Sequence, residues 1–374
     1  MKILIIMGGF FPGKKYGGPP VSVDNFCSLM KDYTCKVVVT DHDMGDANRY
    51  EGILDGWNDR GNCEVQYVSD DRYNKKTFEK IIIEEEPDVL YLQGLFQSCI
   101  LPCLKIAKKD GIKVLLAPRG ELCKGALDIR KYKKAPYIQF VKTMGLVKNV
   151  HFQSTSDEET EAIKRWLKTG DERIHELDNI PSIPRKEYLH EKKNPGEASF
   201  IFLSRIHPKK NLQTAISYFL DVKGCVTFDI YGPMEDEEYW GKCQSEIERL
   251  PENVKVSYKG LVGHDQVHEV FHNYNAFLFP TFSENYGHVI AESLIVGTPV
   301  IISDQTPWTD VNENEAGWAI PLASKQSFVD KIQDIVNMDE ATFDVLSKNA
   351  LKYVSEKTRI DRLREKYDET FNRI

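Results

Sequence analysis

The sequence predicts an α/β protein made of two doubly wound, Rossmann-like domains facing across a cleft. Short β-branched runs alternate with helical stretches through the first half, the alternation restarts near residue 198, and a polar segment with three prolines separates the two halves. In the first half the runs are KILIIM (2–7), KVVVT (36–40), DVLYLQ (88–93), KVLLAP (113–118) and NVHFQST (149–155). In the second they are SFIFLSRI (199–206), VTFDIYG (226–232), VKVSYKG (254–260), AFLFPTF (276–282) and PVIISD (299–304). Such runs read as buried parallel strands, each followed by a crossover helix. The expected organisation is an N-terminal Rossmann-like domain over 1–183, a linker over 184–197 and a second Rossmann-like domain over 198–354. The charged tail 355–374 reads as a helix that could pack back on the first domain.

Composition supports this scale. The chain has 374 residues, 41% hydrophobic and 28% charged, enough for two cores. A net charge of -8 argues against a nucleic-acid partner, which needs a basic surface. The opening MKILIIMGGFFPG suits a first buried strand better than a secretory leader, so a cytoplasmic location is expected. Eight scattered cysteines, with no C-x-x-C pair, read as free thiols; Cys99 and Cys103 share a helix face but do not complete a zinc site.

Chemistry concentrates in the second half. In SENYGHVIAESLIVGTPV (283–300), Glu284 precedes a helix starting near His288 and Glu292 lies on its second turn. The amides at that helix start lack in-helix acceptors, and Gly287 lets backbone approach a ligand, so the place suits an anion. In SRIHPKKN (204–211), Arg205 supplies a planar fork and Lys210 a mobile point charge, a pairing fitted to a diphosphate. Either motif alone is also compatible with an ordinary solvated helix or loop.

Taken in order, SRIHPKKN, GLVG (260–263) and PTFSENYGHVIAESLIVGTPVI resemble the donor domain of retaining glycosyltransferases of the GT-B fold, the group 1, family 4-like enzymes of bacterial polysaccharide synthesis. The two glutamates separated by seven residues carry that resemblance. It implies that Arg205 and Lys210 grip the donor diphosphate and that Glu284 bonds the transferred sugar. It further implies that Asn285, Tyr286, Gly287, His288 and Val289 hold sugar and phosphate oxygens, Glu292 binds the ribose, and Leu261 and Val262 cradle the base. Many members carry an N-domain histidine facing the sugar. Here the corresponding positions read Leu92-Gln93-Gly94 and Pro118-Arg119-Gly120, leaving Gln93 or Arg119 for that place.

The first half holds weaker signals. Gly17 and Gly18 fit either the family's glycine loop or a plain turn. From Lys124 to Lys148 stand seven basic residues and one acid, which read equally as a solvated helix or as an acceptor or anionic-membrane face. Arg119 and Lys134 are the acceptor-site or phosphate-site candidates. Two motifs weigh as decoys: Asp41-His42-Asp43, a three-residue imitation of a metal motif, and His264, His268 and His272 on successive helical turns. His151 reads as a packed residue.

The implied reaction moves a hexose from a nucleotide-diphosphate sugar, a substrate and not a cofactor, to a hydroxyl of a glycan or lipid-linked acceptor with retained configuration. No metal is required on that reading. The rivals are a catalytically silent nucleotide-sugar binding subunit, a GT-B epimerase and, less well supported, a glycan phosphorylase.

Overall fold

A computed structural model describes residues 1–182, 192–263 and 266–374. Its contacts divide the chain into Met1–Ile180 with Ile360–Ile374, and Pro181–Arg359.

The first unit holds β1 (Lys2–Ile6), β2 (Thr34–Thr40), β3 (Trp57–Asp59), β4 (Glu64–Val68), β5 (Val89–Gln93), β6 (Val114–Ala117), β7 (His151–Ser154) and β8 (Ile174–Glu176). They form one sheet in the order β3-β4-β2-β1-β5-β6-β7-β8, parallel except for β3. β5 is buried along its whole length because helices cover both faces. Alternate side chains of β1 feed two cores: Ile3 and Ile5 pack with Phe26 and Phe371, while Leu4 and Ile6 pack with Ile82 and Leu104. β3, β4 and β8 were not among the strands read from the sequence. They lie towards the sheet edges, where half-exposed side chains such as Glu64 and Gln66 interrupt the apolar run.

The second unit holds β9 (Glu197–Leu203), β10 (Cys225–Tyr231), β11 (Val254–Gly260), β12 (Ala276–Phe279), β13 (Val300–Ser303) and β14 (Gly317–Ile320). Their order is β11-β10-β9-β12-β13-β14, all parallel. In both sheets the strand order reverses at the first strand of the unit. Loops leaving the carboxyl ends of β1 and β5, and of β9 and β12, therefore diverge at a topological switch point, where doubly wound sheets take ligands.

Of the expected linker 184–197, residues 184–191 lie outside the described residues. The remainder is built into the second unit: Lys193 is buried and its ammonium donates to the carbonyls of Asn194, Glu197, Val336 and Met338. The tail is two helices. Glu340–Thr358 ends in the second unit, Arg359 turns left-handed (φ 35°), and Ile360–Arg373 belongs to the first. There Tyr367 is buried, its hydroxyl donating to the Asp178 carbonyl (3.0 Å) and accepting from Gln153 Nε2 (2.9 Å).

Candidate active site

The carboxyl end of β9 leads into Ser204–Asn211, and that of β12 into Pro280–Gly287. β9 ends at Leu203, so Arg205 stands in the loop and not at the strand end. Hydrogen bonds to backbone carbonyls sew these neighbouring loops together. Phe282 N and Thr281 Oγ1 donate to the Lys209 carbonyl (3.0 and 3.2 Å), and Asn211 Nδ2 donates to the Pro280 carbonyl (2.9 Å). Asn211 adopts the left-handed conformation (φ 62°) that returns the chain towards its helix. Gly232, after β10, has no substitute: a Cβ there would lie 1.9 Å from the Ser204 carbonyl oxygen.

This sewing brings Lys210 and Glu284 into contact, the Lys210 ammonium donating to Glu284 Oε1. Both are mostly buried, with side-chain exposures of 10% and 16%. Burial pushes the Lys210 pKa down, the Glu284 carboxylate pulls it back up, and the nearby charges of Arg205 and Lys209 push it down further. Arg205 is close enough to be felt at Lys210 and is itself held by Glu235, with Nη1 3.1 and 3.2 Å from the two carboxylate oxygens. Three charges of one small site are thus preset before any ligand arrives.

The turn beyond Glu284 is anchored from behind. Glu284 N donates to the Gln305 carbonyl (3.1 Å), and Trp308 Nε1 donates to the Tyr286 carbonyl (2.6 Å) while its ring meets that of Tyr286 edge-on. Trp308 packs in turn on Tyr353, whose hydroxyl donates to Asp310 Oδ1 (2.6 Å), and Lys357 pairs with the same oxygen. Gly287 caps the short helix His288–Leu294 at φ 78°, where a Cβ would also press within 2.9 Å of Ile290 Cδ1. Asn285 is exposed, whereas Tyr286, His288 and Val289 are half-buried. Glu292, one turn into the helix, is buried, and that burial pushes its carboxyl up to about 7. Leu261 is 45% exposed after β11, and Val262 packs against the unit's core.

Residues 185–353 match the model of the family described as glycosyl transferases group 1. This segment is a group 1 glycosyltransferase domain. Beyond the family match, the chain is 28% identical over 149 residues to the UDP-N-acetylglucosamine–peptide N-acetylglucosaminyltransferase GtfA subunit of Streptococcus agalactiae, covering 38% of this chain and 27% of that protein. It is also 28% identical over 103 residues to the capsular polysaccharide biosynthesis glycosyltransferase CapM of Staphylococcus aureus, covering 27% of each. These matches span about a quarter of the length of either relative. Over its full length the chain superposes on Anabaena HepE in complex with UDP and glucose, with a TM-score of 0.72, 14% identity and 100% of both chains covered. The likeness shows the GT-B fold.

The matched segment contains Arg205, Lys210, Leu261, Val262, Glu284, the turn 285–289 and Glu292; Gly17, Gly18, Arg119 and Lys134 fall in the first unit. Gly17 (φ 70°) caps the helix Gly18–Leu29, so its conformation is required, and Gly18 is that helix's first residue. Arg119 has a different employment from a free phosphate ligand. Its guanidinium donates to Gln93 Oε1 (2.9 Å), Asn179 Oδ1 (2.5 Å) and the Tyr91 hydroxyl (3.3 Å), joining the ends of β5 and β6 to the segment leaving β8. Gln93 is fully buried and its Nε2 has no hydrogen-bond partner. Lys134 is likewise committed, donating to the Ala126 carbonyl (2.7 Å) and lying 5.0 Å over the Phe96 ring.

Asp43 accepts from the amides of Lys14, Lys15 and Met44, so it holds the glycine loop; Asp41 faces His42 Nδ1. His264 lies outside the described residues, while His268 bonds Ser182 Oγ at 3.0 Å. His151 and His175 share a hydrogen bond of 2.8 Å with stacked rings, and burial pushes the His175 ring down to about 4. Sequence reasoning missed Trp308, Tyr353, Asp310 and Glu235, since none stands in a motif; Trp308 alone offered a signal, being a large side chain just after β13.

Proposed function

We propose that this chain is a retaining, metal-independent hexosyltransferase that moves sugar from a nucleotide-diphosphate donor to a hydroxyl of a glycan or lipid-linked saccharide. Surface polysaccharide synthesis on the cytoplasmic side of the cell membrane is the setting this reading favours. The observation that carries it is the Lys210–Glu284 pair, with Arg205 beside it, at the switch point beyond β9 and β12.

On this reading the diphosphate takes the cations Arg205 and Lys210, and Glu284 accepts from a sugar hydroxyl. Ionised Glu292 accepts from the ribose hydroxyls. The bond from the anomeric carbon to the diphosphate breaks, with its electron pair leaving on the phosphate oxygen. An acceptor hydroxyl bonds to the anomeric carbon from the same face, and its proton passes to the departing phosphate. Negative charge grows on the leaving oxygens, so preset cations lower the barrier without reorganising. In HepE, the solved structure contains UDP and glucose, which supports a nucleotide and a sugar as the ligands of this fold.

Replacing Arg205 with alanine should lower transfer by about a hundredfold or more while leaving the melting temperature nearly unchanged. Full activity in Arg205→Ala would refute the assignment. A second reading is a catalytically silent nucleotide-sugar binding subunit. Donor hydrolysis or sugar transfer by the purified chain separates the two. A thermal-shift screen of uridine, guanosine and adenosine diphosphates and their sugars identifies the nucleotide.

A further inference from the structure

A guanidinium offers N–H groups on all three of its nitrogens. In Arg205 only Nη1 is engaged, with both carboxylate oxygens of Glu235 (3.1 and 3.2 Å), while Nη2 and Nε make no hydrogen bond among the described residues. The side chain therefore turns one nitrogen to an acid and keeps the others for a ligand.

Backbone contacts hold Glu235 in that place. Ile206 N donates to the Pro233 carbonyl (2.8 Å) and Glu235 N to the Ile206 carbonyl (3.4 Å), so that Ile206 and Met234 form a parallel bridge. Behind them Gly232 N donates to the Gly260 carbonyl and the Tyr258 hydroxyl to the Gly232 carbonyl, each at 2.8 Å. On the other side Asp236 caps the helix Glu237–Ile247, accepting from Tyr239 N (2.9 Å). A carboxylate between two such anchors is kept beside Arg205.

The pair does little for the fold, since its side chains are 44% and 30% exposed and ion pairs that open to water are worth little. Its effect falls on the anion that Arg205 binds. Glu284 matches Lys210 and Glu235 matches Arg205, which leaves the exposed Lys209 without a paired acid among the described residues. A site so nearly neutral is a poor trap for a polyanion. The diphosphate of a nucleotide sugar carries about two negative charges, and the free nucleoside diphosphate about three, because its terminal phosphate is no longer an ester at both ends.

We infer that Glu235 sets the balance between donor and product in this site: its fixed charge opposes the free nucleoside diphosphate more than the sugar conjugate and so favours release of the leaving group after transfer. The inference rests on the donor-site reading of Arg205, Lys210 and Glu284. A phosphate gripped by the remaining N–H groups of Arg205 would lie about 7 Å from the Glu235 carboxylate. At that distance each unit of phosphate charge is worth about threefold in affinity at low salt.

Glu235→Gln tests this, since the amide oxygen can still accept from Nη1 while the charge is gone. The probes are whichever of uridine, guanosine and adenosine diphosphate stabilises the unaltered chain most, and its glucose conjugate, titrated by calorimetry. The variant should bind the conjugate about tenfold and the free diphosphate about thirtyfold more tightly, shifting their ratio about threefold. Raising salt from about 0.05 to about 0.5 M should erase most of both gains. Glu235→Asp, which keeps the charge, should restore the ratio of the unaltered chain, and all three proteins should melt at nearly the same temperature. An unchanged ratio in Glu235→Gln, gains that persist in high salt, or weaker binding of both probes would overturn the inference; the last would make Glu235 only a support for the Arg205 fork. Failure of the unaltered chain to bind any of the three diphosphates would instead overturn the donor-site reading, and this inference with it.

Discussion

The Lys210 ammonium donates directly to Glu284 Oε1, across 74 residues of sequence, inside a site where both side chains are mostly buried. Each charge is tolerable there because the other is present. Removing one partner leaves an uncompensated buried charge, at a cost of about 3–5 kcal/mol. Lys210→Ala should therefore unfold at lower urea than the unaltered chain, whereas Lys210→Met with Glu284→Gln should recover much of that stability and none of the transfer. Equal denaturation midpoints for the single and double variants would contradict this coupling.

Glu292 makes a prediction about pH. Its carboxyl is pushed up to about 7 by burial, above the ordinary value of 4.5, so the folded chain holds that proton more tightly than the unfolded chain. The contribution to stability is present below 4.5 and is lost as pH rises through 7. A ribose that donates hydrogen bonds to the carboxylate prefers the ionised form, and nucleotide affinity should rise over the same interval. Calorimetric titrations of Glu292→Gln, compared with the unaltered chain, should lack that part of the pH dependence, whatever the nucleotide's own phosphate contributes.

Trp308 holds the Tyr286 carbonyl and thereby the turn carrying Asn285 and Gly287. Trp308→Phe keeps most of the ring packing and removes the N–H donor, a loss of about 0.5–1.5 kcal/mol. The expected signature is a severalfold rise in donor KM with the fold intact. Trp308→Ala opens a cavity and should cost about 3–5 kcal/mol in denaturant titrations. Identical donor KM values for Trp308→Phe and the unaltered chain would remove its positioning role.

Arg119 knits Gln93, Tyr91 and Asn179 within the first unit. Each buried acceptor stripped of its donor costs about 1–3 kcal/mol. Arg119→Ala should lower the melting temperature while leaving nucleotide affinity unchanged, as measured by calorimetry. A selective loss of acceptor use at unchanged stability would restore Arg119 as a substrate ligand.

Strand runs, the restart of the pattern after β8 and the Arg205, Lys210, Glu284 and Glu292 positions were legible in the chain itself. Buried parallel strands leave an uninterrupted apolar mark, and a loop that follows such a strand is placed by it. Edge strands such as β3 and β8 were not legible, because half their side chains meet water and dilute the pattern.

What the amino-acid order alone determined is the alternation of elements and the chemistry stationed at the strand ends. Folding decided what each of those groups touches. Lys210 could have faced solvent and Arg119 could have been a free cation; the tertiary contacts settled both. The reason is one of range: strand and helix periodicity is encoded among near neighbours, whereas an ion pair or a carbonyl anchor depends on atoms dozens of residues away brought together by packing.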